Sequence, residues 1–252
     1  MISLYELEQY ISDLLDIGRF RDYAPNGLQV EGKTEIKTLV TGVTASQRLL
    51  DEAAAVNADA VLVHHGYFWK NESPVLRGMK KRRIKTLLDN DMSLLGYHLP
   101  LDAHPELGNN AQLAKLLGIT DQGAMDEGEL QGVGNVGVLD NAMSLADFGA
   151  RVAAVLKREP VLVSGGEHPV RRIAWCTGGA QGYIDKAAGL QVDAYLSGEI
   201  SENTTHSARE NGVHYIAAGH HATERYGAKA LGEHLAEQFG LMHINFDIDN
   251  PA

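Results

Sequence analysis

The feature that most constrains this chain is a pattern that recurs at a constant offset of 134 positions. Leu50-Asp51-Glu52-Ala53-Ala54 falls opposite Ile184-Asp185-Lys186-Ala187-Ala188, and Asp59-Ala60-Val61-Leu62 falls opposite Asp193-Ala194-Tyr195-Leu196. One offset shared by two separate segments points to internal duplication rather than to composition. In the first copy, the β-rich run at 38–42 precedes SQRLLDEAAAV, which has helical periodicity from Ser46, and the wholly apolar run at 60–63 follows. A short continuous apolar run reads as a strand buried on both faces, and strand, helix, strand is the grammar of a parallel sheet.

The correspondence continues more loosely. Leu94-Leu95-Gly96-Tyr97-His98 ends one predicted strand and Tyr215-Ile216-Ala217-Ala218-Gly219-His220 ends another, and each histidine is followed four residues on by a carboxylate, Asp102 or Glu224. Helical patterns then start near Asn109 and Ala228. The chain is therefore expected to form two similar, linked α/β units, 1–125 and 126–252, with functional groups at the carboxyl ends of the strands. Ile2, Leu4, Leu7, Ile11, Leu14 and Leu15 predict an amphipathic first helix. The stretch 119–172 shows no such counterpart; it predicts a helix over 145–156 and a strand over 160–164.

Composition narrows the function classes. An apolar fraction of 44% over 252 residues supports a substantial core. No run approaches the ~18 apolar residues of a membrane span, and the start lacks the basic and apolar regions of a signal peptide, so a cytoplasmic protein is expected. A single cysteine, Cys176, excludes an internal disulfide framework and a thiolate cluster within one chain, and reads as a small buried hydrophobe. Any metal must then be held by nitrogen and oxygen. The net charge of −11 argues against nucleic acid and anionic membrane as general partners. The local exception, Arg77, Lys80, Lys81, Arg82, Arg83 and Lys85, reads as a solvated helix face.

His64 and His65 stand at the end of the apolar run AVLV. Side chains alternate along a strand, so the two point to different faces. His220 and Glu224, at i and i+4, share one face of a helix and can grip one ion together, whereas His221 points away. In HLPLD, Pro100 argues against a regular helical pair of His98 and Asp102, leaving Asp102 as an oxygen donor on an ordered loop. Mixed imidazole and carboxylate donors suit zinc, iron(II) or manganese. Five candidates, His64, His65, Asp102, His220 and Glu224, exceed what one catalytic ion needs, so two divalent ions per chain are expected. Glu199 and His206 form a further group; by the repeat, Gly198 and Glu199 occupy the places of His64 and His65. His98 and Glu199 are the candidate proton shuttles. Thr41-Gly42 and Thr177-Gly178-Gly179 read as tight strand-to-helix turns, and His104, His168, His214, His234 and His243 as surface or core histidines.

The segments NGLQVEG, TGVTAS, VHHGYFWK, HLPLDAHPELGNNAQLAKLLGI, CTGG, DAYLSGEIS and AAGHHATE together resemble the type 2 GTP cyclohydrolase I homologues, also called Ngg-interacting-factor-like proteins. The resemblance spans nearly the whole chain. It implies the same five metal ligands, His64, His65, Asp102, His220 and Glu224, a dinuclear site between two linked α/β domains, and assembly into a toroidal homohexamer; the large inserted middle domain of some relatives is not expected here, where only the short stretch 119–172 could hold it. It also implies a hydrolase acting on a nucleotide or related cyclic compound, by ring opening or by hydrolysis of a damaged nucleotide. The competing reading is a non-enzymatic toroidal scaffold or nucleic-acid clamp with structural metals.

Overall fold

In the computed structural model, which describes residues 1–126 and 132–252, the chain begins with a short strand β1 (Ile2–Ser3) and helix α1 (Leu4–Leu14). The apolar stripe Leu4, Leu7, Ile11 and Leu15 is buried, and Glu6 reaches back to the Ser3 N–H to close the helix start. Strands β2 (Gly27–Val30), β3 (Glu35–Ile36) and β4 (Thr38–Thr44) lead to α2 (Gln47–Ala55), whose start is capped by Ser46 Oγ accepting the Leu49 N–H. Next come β5 (Ala60–His65), α3 (Gly78–Asp89), β6 (Ser93–Gly96) and α4 (Leu99–Ala103). Of the basic residues, Arg77 is the N-cap residue of α3, and Lys81, Arg82 and Lys85 form its solvated face, Lys85 pairing with Asp89, while Ile84 and Leu87 are buried and Lys80 is held against Glu72 at 3.2 Å.

The chain then continues through α5 (Asn109–Leu117), β7 (Ile119–Ala124), β8 (Asn135–Met143), α6 (Leu145–Leu156), β9 (Val161–Val163) and β10 (Val170–Cys176). It proceeds to α7 (Ile184–Gly189), β11 (Ala194–Ser197), α8 (Glu202–Glu210), β12 (His214–Ala217) and α9 (His220–Glu224). Last come α10 (Gly227–Phe239) and β13 (Met242–Asn245). No helix among the described residues is long and apolar enough to cross a membrane.

The fold is mixed α/β, in two compact units. The first comprises 1–108 and 227–249, the second 109–226 and 250–252. This differs from a single division after residue 125. In the first unit the strand order is β13-β4-β5-β6-β2, with β13, β4, β5 and β6 parallel and β2 antiparallel on the β6 edge. In the second it is β7-β8-β10-β11-β12-β9, with β10, β11 and β12 parallel and β9 antiparallel on the β12 edge. The reason for the different division is pairing: β13 adds to β4 from Met242↔Thr38 to Asn245↔Thr41, while β7 pairs with β8. The closing helix-strand segment of each half thus completes the sheet built by the other half.

The strand register follows the sequence repeat. Leu39 pairs with Ala60 in the first unit and Ile173 with Ala194 in the second, at the same offset of 134 positions. The stretch 119–172 also has a partial counterpart in topology: α6 then β9 precede β10 as α1 then β2 precede β4, each ending as the antiparallel edge strand.

Alternation along β5 sorts the core. Ala60 and Leu62 pack with Leu4, Leu7, Leu231 and Leu235 on one face, and Val61 and Val63 pack with Leu49, Leu50 and Leu87 on the other. In β11, Leu196 packs with Phe148 and Trp175, and Tyr195 with Ala187 and Ala208. Cys176 is buried, and its thiol donates to the Val133 carbonyl.

A candidate metal centre in two donor sets

In the first unit, β5 runs to its end at His64 and His65, and the chain leaves β6 into His98. The rings of His64 and His65 have centroids 4.5 Å apart, and His98 lies 5.0 Å from the first and 5.7 Å from the second. One ring nitrogen from each of the three falls within 4.8 Å of the others, close enough to share an ion. The tautomer of His64 is set by its surroundings. Its Nδ1 lies 3.0 Å from the Tyr97 carbonyl, which only accepts, so Nδ1 carries a proton and, in the neutral ring, Nε2 is the nitrogen left to bind a metal. That Nε2 is 3.5 Å from Asp102 Oδ1. His65 Nδ1 is 3.2 Å from the Thr44 hydroxyl.

Asp102 does not sit on a loop. Leu99–Ala103 is helical, with the Leu101 and Asp102 N–H groups donating to the His98 carbonyl at 2.9 and 3.2 Å. Pro100 is tolerated because it occupies the first turn, where a backbone N–H has no helical acceptor in any case. His98 is the N-cap residue of α4, whereas in the second unit Gly219 is the N-cap and His220 the first residue of α9. The two histidine-carboxylate pairs are therefore offset by one position in their helices, and the match read at i and i+4 is not a match in register.

In the second unit, His220 Nε2 lies 3.2 Å from Glu224 Oε2, and its Nδ1 lies 2.7 Å from Glu199 Oε1. The Glu224 carboxylate, opposed by burial and reinforced by Glu199, pushes the His220 imidazole up to about 9. The two carboxylates place negative charge on both sides of the ring, which favours positive charge there. Glu224 is almost wholly buried, and the turn after β10 is shaped around it. Gly178 has φ of +68°, and a Cβ there would fall 2.0 Å from Glu224 Oε1. The Gly178 N–H donates to Thr223 Oγ1 at 3.0 Å, tying the turn to α9. The Thr177-Gly178-Gly179 group is thus a tight turn, as its spacing suggests, and also the wall of a carboxylate cradle.

Gly198, the positional partner of His64, has no room for a side chain: a Cβ would lie 2.6 Å from the Gly178 carbonyl and 2.7 Å from His220 Cα. Its neighbour Glu199 acts instead through His220. His206 is not brought to this group; it pairs with Glu202 at 3.1 Å on the exposed face of α8. His221 is buried, and its backbone N–H donates to the Ala252 carbonyl.

Residues that spacing did not reveal surround His98. Its Nδ1 lies 2.8 Å from Asp22 Oδ1, its backbone N–H donates to Asn26 Oδ1 at 2.7 Å, and Tyr23 and Trp69 set their rings edge-on to it at 4.9 and 5.0 Å. Burial alone would raise the Asp22 carboxyl, but hydrogen bonds from His98, Asn26 and the Leu99 N–H outweigh it and hold the group at about 2. Of these, Asn26 lies in NGLQVEG and Trp69 in VHHGYFWK, while Asp22 and Tyr23 lie outside the quoted segments.

The donor chemistry fits divalent transition metals. The groups offered are imidazole nitrogens, with their second nitrogens on the Tyr97 carbonyl for His64, the Thr44 hydroxyl for His65 and the Glu199 carboxylate for His220, together with buried carboxylates. An α/β fold with histidines at strand ends and carboxylates on the following short helices defines a candidate metal-binding α/β protein. More particularly, the chain belongs to the Duf34/NIF3 (NGG1p interacting factor 3) family, whose model matches residues 2–251. It is 57% identical over 251 residues to a protein of Pseudomonas aeruginosa, covering 100% of this chain and 99% of that one. It is 56% identical to one of Escherichia coli, over 98% of each chain. Both relatives are named GTP cyclohydrolase 1 type 2 homolog. A solved structure described as protein ybgI, of unknown function, superposes with a TM-score of 0.96 at 55% identity over 100% of both chains.

Proposed function

We propose that this chain is a metal-dependent hydrolase in which His64, His65, Asp102, His220 and Glu224 hold two divalent ions, iron, zinc or manganese. The observation that carries the proposal is the way the imidazoles are presented: Nδ1 of His64 is committed to the Tyr97 carbonyl and Nδ1 of His220 to Glu199, leaving Nε2 of each beside a buried carboxylate. His220 and Glu224 are two donors, fewer than the three protein ligands usual for a catalytic ion, which is why the five are assigned together.

Bound divalent ions supply Lewis acidity and a lowered pKa for water at neutral pH. The chain's own residues do the rest. His98 Nε2 accepts a proton, with its ring held by Asp22, Tyr23 and Trp69. Glu199 holds the His220 Nδ1–H, so that Nε2 keeps its direction. The substrate class proposed is a nucleotide or related cyclic compound, opened at its ring or hydrolysed as a damaged nucleotide; the name carried by the curated relatives supports this choice. A toroidal homohexamer in the cytoplasm is part of the same proposal.

The test loads the metal-free protein with manganese, iron or zinc, measures bound metal, and screens the product against nucleotides, GTP included, with the metal-free protein as control. Two equivalents per chain and metal-dependent turnover support the reading. A stoichiometry of zero removes it, and light scattering at the mass of a monomer removes the hexamer.

A further inference from the structure

Asp22 is placed to govern two of the groups just described. Its Oδ1 accepts the Ala24 N–H at 3.1 Å and lies 2.8 Å from His98 Nδ1; its Oδ2 accepts Asn26 Nδ2 at 3.1 Å and the Leu99 N–H at 2.9 Å. The side chain is 3% exposed. Leu99 opens α4, and His98, the N-cap residue, makes no side-chain cap bond of its own. The cap is supplied instead by Asp22, 77 positions away in sequence. The same helix carries Asp102.

We propose that Asp22 is a positioning residue with two effects: it fixes His98 in the tautomer with the proton on Nδ1 and the lone pair on Nε2, and it caps the helix that aims Asp102. The second effect is independent of the reaction, while the first rests on the reading of His98 as a proton acceptor. A buried carboxylate approached by three other donors is an acceptor only, so Nδ1 must be the donor in the fourth contact. A neutral imidazole then has its lone pair on Nε2, on the side of the ring away from Asp22. The Asn26 contacts close the arrangement. That side chain donates to Asp22 and accepts the His98 N–H, so backbone and ring are held by one pair of residues.

The test uses the whole chain with isotopically labelled histidine, metal-free and zinc-loaded, and reads the imidazole nitrogen shifts by NMR. The His98 signals are assigned by their loss in His98→Gln. In the wild-type protein they are expected to show a protonated Nδ1 and an unprotonated Nε2. In Asp22→Asn, the Asn amide N–H₂ faces Nδ1, and the signals are expected to move to the Nε2-protonated tautomer, with zinc affinity about 10-fold weaker. A wild-type His98 protonated on Nε2 overturns the proposal, and needs no variant to be seen. So does an Asp22→Asn protein that keeps both tautomer and zinc affinity. Zinc stoichiometry on the same samples separates the two readings: no bound zinc with the expected tautomer removes the hydrolase and keeps Asp22, and two equivalents with the opposite tautomer do the reverse.

Discussion

Asp59 and Asp193 stand 134 positions apart and share a set of hydrogen bonds. Each Oδ2 accepts two successive backbone N–H groups on the neighbouring strand: Lys37 and Thr38 at 2.9 Å for Asp59, Arg171 and Arg172 at 2.9 and 2.7 Å for Asp193. The backbone repeats the pattern. The Asp59 N–H donates to the Thr38 carbonyl and the Asp59 carbonyl accepts the Ser93 N–H, as Asp193 does with Arg172 and His214. Side chain and backbone of one aspartate thus tie together the starts of three parallel strands in each unit, the carboxylate binding the first and the backbone carbonyl the third, which accounts physically for the aspartate at that place in the repeat.

Replacing either aspartate by asparagine removes a charge-assisted acceptor and is expected to destabilise the protein by about 2 kcal/mol at pH 7, read by urea unfolding. For Asp59 the pH dependence has a definite sign. Burial raises its carboxyl, but the hydrogen bond from Lys33 and those from the Thr38 and Lys37 N–H groups win, and its pKa in the folded state is lowered. The stability it contributes is fully present above its unfolded pKa of about 3.9 and is lost as pH falls through the lower folded value. The gap between wild type and Asp59→Asn should therefore close below about pH 4. A gap that persists unchanged at pH 2.5 would assign the effect to packing.

A chain ending at residue 125 should not fold as an independent unit. It lacks α10, β13 and the turn between them, from which Ala228, Leu231, Leu235 and Leu241 are buried in the core containing Leu62 and Leu95. Each large apolar side chain contributes about 1.5–3 kcal/mol, so the three leucines alone approach the whole stability of a small domain. A cooperative unfolding transition for 1–125 alone, with native-like near-UV dichroism, would contradict this.

The strands and helices around the repeat were legible because their signal is local. β5 and β11 are continuous apolar runs between turns, α2 has a serine cap, and the α6 bounds coincide with the periodic stretch. What was not legible depends on partners distant in sequence. The place of β13 beside β4 rests on pairing across about two hundred residues, including His243 Nε2 at 2.8 Å from Thr41 Oγ1. β7, ITDQGA, is largely solvent-exposed and carries little apolar alternation to find. The five metal-ligand candidates were found because imidazoles at strand ends are conspicuous residue types. Asp22 was not, since its bond to His98 crosses 76 positions and nothing in its own segment marks it.

Glu199→Gln should weaken metal binding about 10-fold or more without unfolding the chain. Its side chain is 45% exposed and holds the His220 Nδ1–H, so the substitution removes an acceptor charge but little packing. Equilibrium dialysis with zinc reads the loss. Equal affinity in the two proteins would show that His220 is oriented by Glu224 and the helix alone.

Gly178→Ala gives the sharpest test of the carboxylate cradle. The added methyl carbon would stand 2.0 Å from Glu224 Oε1 and 3.2 Å from His220 Nε2, in a backbone conformation with φ of +68° that alanine resists. Glu224 must then move, and with it the donor that shares α9 with His220. Gly182, a few residues along, has nothing within 4 Å of an added Cβ and serves as the control for helix propensity and handling. The expected result is loss of at least one metal equivalent in Gly178→Ala, comparable to Glu224→Ala, with Gly182→Ala unchanged. His221→Ala, beside His220 but off its face, should retain more metal than Glu224→Ala. If Gly178→Ala folds by circular dichroism and binds metal as tightly as Gly182→Ala, Glu224 does not hold the ion from this cradle. If His221→Ala loses more than Glu224→Ala, the donor on α9 is the neighbouring imidazole instead.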